Sequence, residues 1–563
     1  MSSMKKIIWT CWFQGREAAP PLVKACLDSW ERLNPEWDFR CLDATSIERY
    51  IELGDYIDLG RQSITAASLS DIVRILLLHE FGGVWVDATL FCNRPLDAWL
   101  PDLMDEGFFA FAVPVPGRPL SSWFLSAAPG HPLISAWCRR TLDYWSARAA
   151  SGDYFWFHHL FRDMCETDRP AAQAWARVPK LSAKGPHALQ AEGRMFRPKA
   201  EVFDSIDWLT PCFKLSYRGP QAEQRPGSLL EYLLKRAANQ GPPPAPTPRS
   251  PPSGPAPSGF AALKVSTENL GDHIQLIAGS RLLSRLGVEP TRYIDREDEI
   301  QSAPGLEAEA GPVGILLNGW FKTNRREWPP HSKFAPLIHG FHIRLFQCPE
   351  LVSEESIAFF RQHQPVGCRD PYTEALLRSA GVEAFLSHCL SLTMPRRIER
   401  PETQTEVFVV SRDERLKDII PPSIGPYSFI SHYSGTSDFA ANMAQAESLL
   451  ETYRSRAKLI VTTLLHCALP AIAMGIPVVV FYPLNTEAGH VSDRERFSSL
   501  EMFTPLHRFD EAESVDWDPA ALDVSDVKLR LLDSFYGMAA RWALTPAPPL
   551  GPIAPSNVLP PPS

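Results

Sequence analysis

A proline-rich segment near the middle of the chain most strongly constrains how the chain can fold. Residues 241–258 read GPPPAPTPRSPPSGPAPS, and half of them are proline. Such a stretch has too few apolar side chains to build a core, so it predicts an extended, semi-rigid spacer. The 563 residues also exceed what one hydrophobic core usually supports. We therefore predict domains at 1–238 and 261–542, a linker at 239–260, and a disordered proline-rich tail at 543–563.

The composition is that of a soluble globular protein and excludes some classes of partner. A formal net charge of -9 and a pI near 6.0 argue against nucleic acid, whose partners usually present concentrated Lys and Arg surfaces. The 11 cysteines form no CxxC pair, which fits a reducing cytoplasm. No apolar run approaches the roughly 20 residues that cross a bilayer, so we predict a cytoplasmic protein with at most peripheral contact with the inner membrane.

Both halves of the chain alternate short apolar runs with helical periods, which predicts α/β folds with parallel, Rossmann-like sheets. In the first half we expect strands at 7–13, 38–42 and 84–86 and helices at 21–33 and 68–81. In the second half we expect strands at 313–317, 343–346, 407–410, 459–461 and 478–481.

A helix, a Gly-Gly stop and a short strand lead to Asp87. We expect Ser68 or Ser70 to cap the helix and one of the two glycines to end it in the left-handed conformation. Asp87 then follows the strand at the sheet edge where ligands bind, and a carboxylate there can hold a divalent cation against a diphosphate. Asp71 and Arg74 share a helix face; a simple ion pair, with Asp87 as a turn residue, explains these residues equally well.

Residues 70–89, SDIVRILLLHEFGGVWVDAT, resemble the signature of the capsular polysaccharide synthesis glycosyltransferases, which are related to the glycosyltransferases with a DxD sugar motif. YFWFHHLF at 154–161 and CFKLSY at 212–217 extend the resemblance. It implies a GT-A-like fold and a nucleotide-sugar donor. The donor site would contain Asp71, Arg74, Asp87 and Thr89, with Asp87 binding Mn²⁺ or Mg²⁺.

The chain departs from the DxD pattern because it has Asp-Ala-Thr, and a hydroxyl is a weaker ligand than a carboxylate for a hard cation. His158 and His159 are adjacent, so on a helix they point in different directions and cannot chelate one ion together. We place one of them in the core or on the acceptor side.

In the second half, Asn269, Gly271 and Asp272 form a polar loop before a helix, and a helix N-terminus favours an anion. Arg369 precedes a helix that Asp370 can cap, and it could bind a phosphate or carboxylate or simply pair with Asp370. His466 lies in the first turn of a later helix, as a general acid or base or as a satisfied core histidine.

The runs NLGD (269–272), NGWF (318–321), RDPYT (369–373) and TTLLHCALPAIAMGIP (462–477) resemble, in matching order, the polysaccharide pyruvyl transferase family. This resemblance implies a GT-B-like pair of Rossmann halves and transfer of a pyruvyl group from phosphoenolpyruvate to sugar hydroxyls. Arg369 and His466 would be catalytic, Asn269, Gly271 and Asp272 would bind the donor, and no organic prosthetic group is implied.

Leu464 stands where this family usually has an arginine expected to grip phosphoenolpyruvate. Our leading hypothesis is a bifunctional bacterial enzyme of capsule or exopolysaccharide biosynthesis that acts on a glycan or lipid-linked glycan. The alternatives are a glycosyltransferase fused to a GT-B-like glycosyltransferase, or to a glycan-binding domain without catalysis.

Overall fold

The computed structural model describes residues 5–115, 117–216, 226–238, 256–321, 328–344, 349–482 and 492–544. They separate into two compact units, one within 5–238 and the other within 256–544. The predicted linker and tail lie almost entirely outside these residues, and the domain bounds stay a prediction. None of the helices described is both long and apolar enough to cross a membrane.

The first unit is built on a five-stranded mixed sheet with the strand order β2-β1-β3-β6-β5, beside a separate antiparallel pair, β4 and β7. Its strands are β1 (Ile7–Cys11), β2 (Asp38–Leu42), β3 (Gly83–Val86), β4 (Leu90–Cys92), β5 (Phe108–Val115), β6 (Arg118–Ala127) and β7 (Cys212–Lys214). Its helices are α1 (Pro21–Leu33), α2 (Ala66–Phe81), α3 (Pro132–Ser146), α4 (Trp156–Thr167), α5 (Arg169–Arg177), α6 (Lys199–Val202) and α7 (Leu229–Ala238).

The prediction of a wholly parallel sheet is wrong for this unit. Strands β1, β2 and β3 are parallel, but β6 runs antiparallel to β3, and β5 runs antiparallel to β6. Only residues 116 and 117 separate β5 from β6 in the sequence, and neighbouring strands joined by so few residues are antiparallel because parallel strands need a crossover connection. The parallel part therefore ends at β3, the strand that leads to Asp87.

Helix α2 is buried on almost every face, because its sequence is apolar apart from a few side chains. Its N-cap is Thr65, whose hydroxyl accepts from the backbone N–H of Ser68, so the expected caps Ser68 and Ser70 lie inside the helix. The helix ends at Gly82, where φ is 67° and ψ is -157°. This conformation has a positive φ but is not the left-handed helical one that we expected.

The second unit contains two parallel sheets, with the orders β13-β12-β11-β10-β8-β9 and β15-β14-β16-β17-β18. The first sheet comprises β8 (Gly259–Lys264), β9 (Arg292–Asp295), β10 (Val313–Trp320), β11 (Phe334–His342), β12 (Val366–Cys368) and β13 (Ala384–Leu386). The second comprises β14 (Glu406–Val410), β15 (Tyr427–Ile430), β16 (Ala457–Thr462), β17 (Val478–Phe481) and β18 (Leu506–His507).

Helices connect these strands and cover the sheets. They are α8 (Leu270–Arg285), α9 (Glu354–His363), α10 (Pro371–Ser379), α11 (Leu416–Ile419), α12 (Phe439–Arg456), α13 (Leu465–Ala473), α14 (Ser492–Glu501) and α15 (Ser525–Ala539). The last helix returns to the first sheet, where Ser534 Oγ lies 2.9 Å from His339 Nε2. The unit is thus closed by its own C-terminal helix.

Two local predictions for this unit are wrong. The strand expected at 343–346 is absent from residues 343 and 344, because β11 ends at His342; residues 345 and 346 lie outside the described residues. Gly271 and Asp272 are not in a loop but in the first turn of α8, since Asn269 caps that helix. Their polar groups therefore lie at a helix N-terminus.

Candidate active sites

Asp87 lies in a tight turn directly after β3. Its backbone N–H donates to the carbonyl of Trp123 at 2.9 Å, and its carbonyl accepts from the N–H of Leu90 at 2.8 Å. These two bonds fix the direction in which the carboxylate leaves the strand. Because β1 and β3 are parallel, this is the sheet edge at which ligands of α/β proteins commonly bind.

The Arg74 guanidinium joins both carboxylates that the sequence assigned to the donor site. Its Nη1 lies 2.6 Å from Asp71 Oδ1, and its Nη2 lies 2.8 Å from Asp87 Oδ1. Arg74 is only 4% exposed, and its Cζ lies 5.2 Å from the centroid of the Trp85 ring. The Trp85 Nε1–H also donates to Asp87 Oδ1 at 3.1 Å. The structure thus brings the three predicted residues together in one ion-pair network.

The two carboxyls differ in acidity although they share one arginine. Burial, reinforced by the nearby Asp87 charge and only partly offset by Arg74, raises the pKa of Asp71 to about 7. Burial also opposes ionisation of Asp87, but the Lys214 ammonium and the Arg74 guanidinium outweigh it and hold the pKa of Asp87 well below its usual range. Asp87 therefore carries the permanent negative charge of this network.

Lys214 is a site residue that the sequence analysis missed. Its Nζ donates to Asp87 Oδ2 at 2.9 Å and to Thr89 Oγ1 at 2.7 Å. It is the last residue of β7 and pairs with Leu90 of β4, which begins three residues after Asp87. The stretch CFKLSY contributed to the resemblance, but nothing local in it indicates that its lysine reaches a carboxylate 127 positions away.

The donor set around Asp87 does not fit the divalent cation that the resemblance implied. Each carboxylate oxygen is bound by a cationic side chain, and the Thr89 hydroxyl is bound by Lys214. Asp71 is engaged by Arg74. Within the described residues, no group of three or more His, Cys, Asp or Glu side chains could hold a metal ion.

The two histidines of α4 have different surroundings. His158 is half-buried with its Nδ1 unpartnered, and burial together with the charges of Arg74 and Arg118 lowers its pKa to about 3. His159 instead lies 3.3 Å from Asp153 Oδ2 and is partly exposed. The charges of Arg74 and Asp87 both act on His158, whereas His159 contacts Asp153. The two side chains therefore do not act on one ion.

In the second unit, the cap of α8 orders the predicted polar residues. Asn269 Oδ1 accepts from the N–H of Gly271 at 3.1 Å, and Asn269 Nδ2 donates to Asp272 Oδ2 at 3.2 Å. Asp272 is buried and lies 3.7 Å from Arg296 Nη2. Asp272 is thus held from two sides at the start of the helix.

His466 lies directly against this helix start. A Cβ built on Gly271 would be 3.6 Å from His466 Nδ1, so the two segments are in contact. His466 is 3% exposed, its Nε2 has no hydrogen-bond partner, and its backbone departs from helical geometry. Burial and the charges of Arg369 and Arg496 lower the pKa of His466 well below its usual value. The imidazole is therefore neutral near pH 7.

Arg369 is buried, and none of its three guanidinium nitrogens has a hydrogen-bond partner among the residues that the structure describes. Its side chain is 1% exposed, and Nε makes a long ion-pair contact of 3.9 Å with Asp370 Oδ2. That carboxylate is already bound by His342 Nδ1 at 2.6 Å and by the N–H of Thr373 at 2.8 Å. Burial lowers the pKa of Arg369 to about 10, and the side chain still carries its charge at neutral pH. Two roles were predicted for Arg369, binding of a phosphate or carboxylate and pairing with Asp370. Pairing with Asp370 leaves the guanidinium nitrogens without hydrogen bonds.

Leu464 immediately precedes α13, and its backbone N–H donates to Thr462 Oγ1 at 3.0 Å. Its side chain offers no charge to an anion. The positive charge around His466 comes instead from Arg369 and from Arg496 on α14. Arg496 is a second residue that the sequence analysis missed, because it lies beyond the motifs that carry the resemblance.

Two family models match the chain. Residues 1–233 match the model described as capsular polysaccharide synthesis protein, and residues 269–485 match the model described as polysaccharide pyruvyl transferase. Both resemblances predicted from the motifs are therefore confirmed, in the predicted order.

Curated relatives are glycosyltransferases of fungal origin. The O-glycosyltransferase braB of Annulohypoxylon truncatum is 26% identical over 177 residues, which are 28% of this chain and 42% of that protein. The O-glycosyltransferase PaGT of Phomopsis amygdali is 33% identical over 107 residues, which are 17% of this chain and 26% of that protein. The chain thus spans less than half the length of these relatives, and the bacterial origin that we expected stays an expectation.

Solved structures of glycosyltransferases resemble the chain only weakly. The apo form of the glycosyltransferase GlyE of Streptococcus pneumoniae TIGR4 has a TM-score of 0.29 and 8% identity, covering 87% of this chain and 94% of that chain. The PaToxG glycosyltransferase has a TM-score of 0.21 and 13% identity, covering 31% of this chain and 74% of that chain. These scores are too low to support an argument about the site.

The two segments have separate family matches and separate clusters of charged side chains. The chain joins a segment of the capsular polysaccharide synthesis type, residues 1–233, to a segment of the polysaccharide pyruvyl transferase type, residues 269–485, and these matches support a transferase.

Proposed function

We propose that the chain is a bifunctional enzyme of polysaccharide biosynthesis. Its N-terminal unit, for which we infer a GT-A-like fold, transfers a sugar from a nucleotide-sugar donor to a glycan or lipid-linked glycan. Its C-terminal unit, for which we infer a GT-B-like pair of Rossmann halves, transfers a pyruvyl group from phosphoenolpyruvate to the same glycan. The reactions take place in the cytoplasm, with peripheral contact at the inner membrane when the acceptor is lipid-linked.

Charge at the end of β3 supports the first activity. The cations Arg74 and Lys214 meet at Asp87, and the second carboxyl, Asp71, is only partly ionised near neutral pH. The network therefore has a positive excess at the sheet edge where nucleotides commonly bind, which suits a diphosphate leaving group.

The unsatisfied guanidinium of Arg369 is the observation that carries the second activity. A buried cation without hydrogen bonds is costly, and a bound carboxylate or phosphate would satisfy it. The unpartnered Nε2 of His466 lies in the same electrostatic environment, because the charge of Arg369 depresses the pKa of His466. An anion-binding cation beside a neutral imidazole is the pair that phosphoenolpyruvate chemistry requires.

In this reaction one sugar hydroxyl adds to C2 of phosphoenolpyruvate while the methylene carbon gains a proton and becomes a methyl group. A second hydroxyl then forms the other C–O bond of the ketal as the C–O bond to phosphate breaks. The protons of the two hydroxyls end on the methyl group and on the released phosphate. Arg369 would hold the substrate anion, and the neutral His466 would accept a proton from a hydroxyl and return it.

Leu464 favours the two alternatives for the C-terminal unit. Without the arginine usual in the family, the unit could use a nucleotide-sugar donor or bind glycan without catalysis. The buried Arg369 argues against loss of the anion site, because an unused buried charge only destabilises the fold.

The test measures phosphate release from phosphoenolpyruvate with acceptor glycan extracted from a strain that lacks the protein. The full chain is compared with His466→Ala, Leu464→Arg and, as a surface control on α10, Arg378→Met. We expect release by the wild type and the control, and loss of release in His466→Ala. Turnover of a panel of nucleotide sugars by the same preparations tests the first activity.

Two other results would favour a different function of the C-terminal unit. If the wild type releases no phosphate while Leu464→Arg does, the site is retained but pyruvyl transfer is not its native reaction. If nucleotide sugars protect the second unit from thermal unfolding and phosphoenolpyruvate does not, the C-terminal unit is a second glycosyltransferase rather than a pyruvyl transferase.

A further inference from the structure

Lys214 occupies the position that a divalent cation would take between Asp87 and Thr89. Its Nζ lies 2.9 Å from Asp87 Oδ2 and 2.7 Å from Thr89 Oγ1, so it bridges the two oxygen ligands that follow β3. The Lys214 and Asp87 side chains are only 17% and 25% exposed. A metal ion could bind both oxygens only after this ammonium had moved away.

The remaining ligands also disfavour a metal ion. The other oxygen of Asp87 is bound by Arg74 Nη2 at 2.8 Å, so two fixed positive charges already neutralise this carboxylate. Mg²⁺ and Mn²⁺ bind best where several carboxylate or carbonyl oxygens converge, and here the second carboxylate, Asp71, is engaged by Arg74. A dication would be repelled by both cationic side chains.

We propose that Lys214 replaces the divalent cation, so that glycosyl transfer by the N-terminal unit is independent of metal. The inference rests on the proposed glycosyl transfer. An ammonium has three donors, of which Asp87 and Thr89 take two, and the third remains for an oxygen of the donor diphosphate.

During transfer the bond between the sugar C1 and the β-phosphate oxygen breaks, and its electron pair stays on that oxygen. The acceptor hydroxyl forms the new bond to C1, and its proton is released to water. Lys214 stabilises the negative charge that develops on the nucleoside diphosphate, which is the role that a metal ion has in metal-dependent enzymes.

A further cation supports this assignment. Arg118 packs over the Phe155 ring at 4.2 Å. The charges of Arg118 and Lys214 both lower the pKa of His187. The charges of Arg118 and Arg74 both lower the pKa of His158. Arg118 therefore adds to the positive charge around His158 and His187, while Arg74 and Lys214 bind Asp87 directly and give the site positive charge for a diphosphate without a metal ion.

The test measures binding of UDP, GDP, ADP and dTDP to the full chain by calorimetry, in EDTA and in Mn²⁺. We expect wild type to bind one of them equally well in both buffers. Lys214→Met should lose about 10- to 100-fold in affinity in EDTA, the usual effect of losing one hydrogen bond to a charged group. Because this substitution vacates the position between Asp87 and Thr89, Mn²⁺ should restore part of the affinity.

Lys24→Met, which changes a partly exposed lysine of α1, serves as the matched control and should bind like wild type. Lys214→Arg keeps the charge and should keep most of the affinity in EDTA. If Lys214→Met does not fold, the affinities of wild type and Lys214→Arg for the nucleoside diphosphate in EDTA and in Mn²⁺ show whether binding requires a metal ion.

Binding by wild type only in the presence of Mn²⁺ would overturn the metal-independent mechanism and leave the proposed glycosyl transfer intact. Failure of every nucleoside diphosphate to bind in both buffers would overturn both. The two failures are therefore distinguishable.

Discussion

Gly271 and His466 are in van der Waals contact, although they belong to different elements far apart in the sequence. A Cβ at Gly271 would lie 3.2 Å from the Cβ of His466 and 3.2 Å from Asn269 Oδ1. The absence of a side chain at Gly271 thus lets the start of α8 approach α13. The two segments that the sequence assigned separately to a donor site and to catalysis form one surface.

Gly271→Ala should impair this site more than it impairs the fold. Alanine is the better helix former by about 1 kcal/mol, and this gain offsets the tight contacts with Asn269 and His466. We expect a change in the free energy of unfolding below about 1 kcal/mol and a loss of phosphate release from phosphoenolpyruvate. Gly537→Ala in α15 is the control, because a Cβ there meets no atom within 4 Å. Equal activity of the two variants would contradict the prediction.

Arg369→Met should stabilise the protein and abolish binding of phosphoenolpyruvate. The substitution removes a buried guanidinium without hydrogen bonds, so we expect the free energy of unfolding to rise by about 1–3 kcal/mol. Affinity for phosphoenolpyruvate should fall by about 10- to 100-fold or more. Urea unfolding and calorimetric titration measure the two effects. A variant that is destabilised, or that retains affinity, would show that Arg369 has only a structural role.

Asp71→Asn should remove one component of the pH dependence of stability. Because the pKa of Asp71 is raised to about 7 in the folded state, the folded chain retains a proton that the unfolded chain releases near pH 4. The contribution of this bound proton to the free energy of unfolding is fully present below about pH 4 and is lost as the pH rises through about 7. The slope between these values is at most about 1.4 kcal/mol per pH unit.

Thermal unfolding of wild type and Asp71→Asn across this range measures the difference. We expect the variant to become relatively more stable as the pH rises from about 4 to about 7. Asp102→Asn, at an exposed position, should show no such trend. A constant difference between wild type and Asp71→Asn would mean that Asp71 is ionised throughout.

Asp370→Ala should destabilise the second unit by more than the loss of a helix cap. Asp370 caps α10 through the N–H of Thr373 and also binds His342 Nδ1 at 2.6 Å. Loss of a cap costs about 1 kcal/mol, and an unsatisfied buried partner adds about 1–3 kcal/mol. Ser353→Ala removes the cap of α9, which binds no buried histidine, and should cost only about 1 kcal/mol. Equal losses in urea unfolding would contradict the prediction.

Much of the fold near the first site was predictable, because its elements have strong local signals. The helix Pro21–Leu33 and the strand Asp38–Leu42 have the predicted bounds, and Asp87 follows a strand as expected. The strand β11 was missed because two fully buried histidines, His339 and His342, interrupt its apolar pattern. One ring nitrogen of each histidine has a partner that only the folded chain supplies, Ser534 Oγ for His339 Nε2 and Asp370 Oδ2 for His342 Nδ1.

The site itself was predictable only where its residues lie in one motif. Asp71, Arg74 and Asp87 come from one stretch of the sequence, and helix periodicity places the first two on one face. Lys214 and Arg496 reach their sites from distant elements, and a single charged residue has no local signature of its partner. The distribution of charge at both sites therefore had to come from the structure.

The pairing of β4 with β7 places Leu90 opposite Lys214 and Phe91 opposite Phe213. Side chains alternate along a strand, so a shift of this alignment by one residue would direct Phe213 or Leu215 toward the carboxylate. The positive charge that Lys214 brings to Asp87 thus depends on the alignment of two three-residue strands rather than on a fixed spacing in the sequence. Insertions between these strands that keep their pairing preserve the lysine, whereas a shift of one residue in that pairing would exchange it for an apolar side chain.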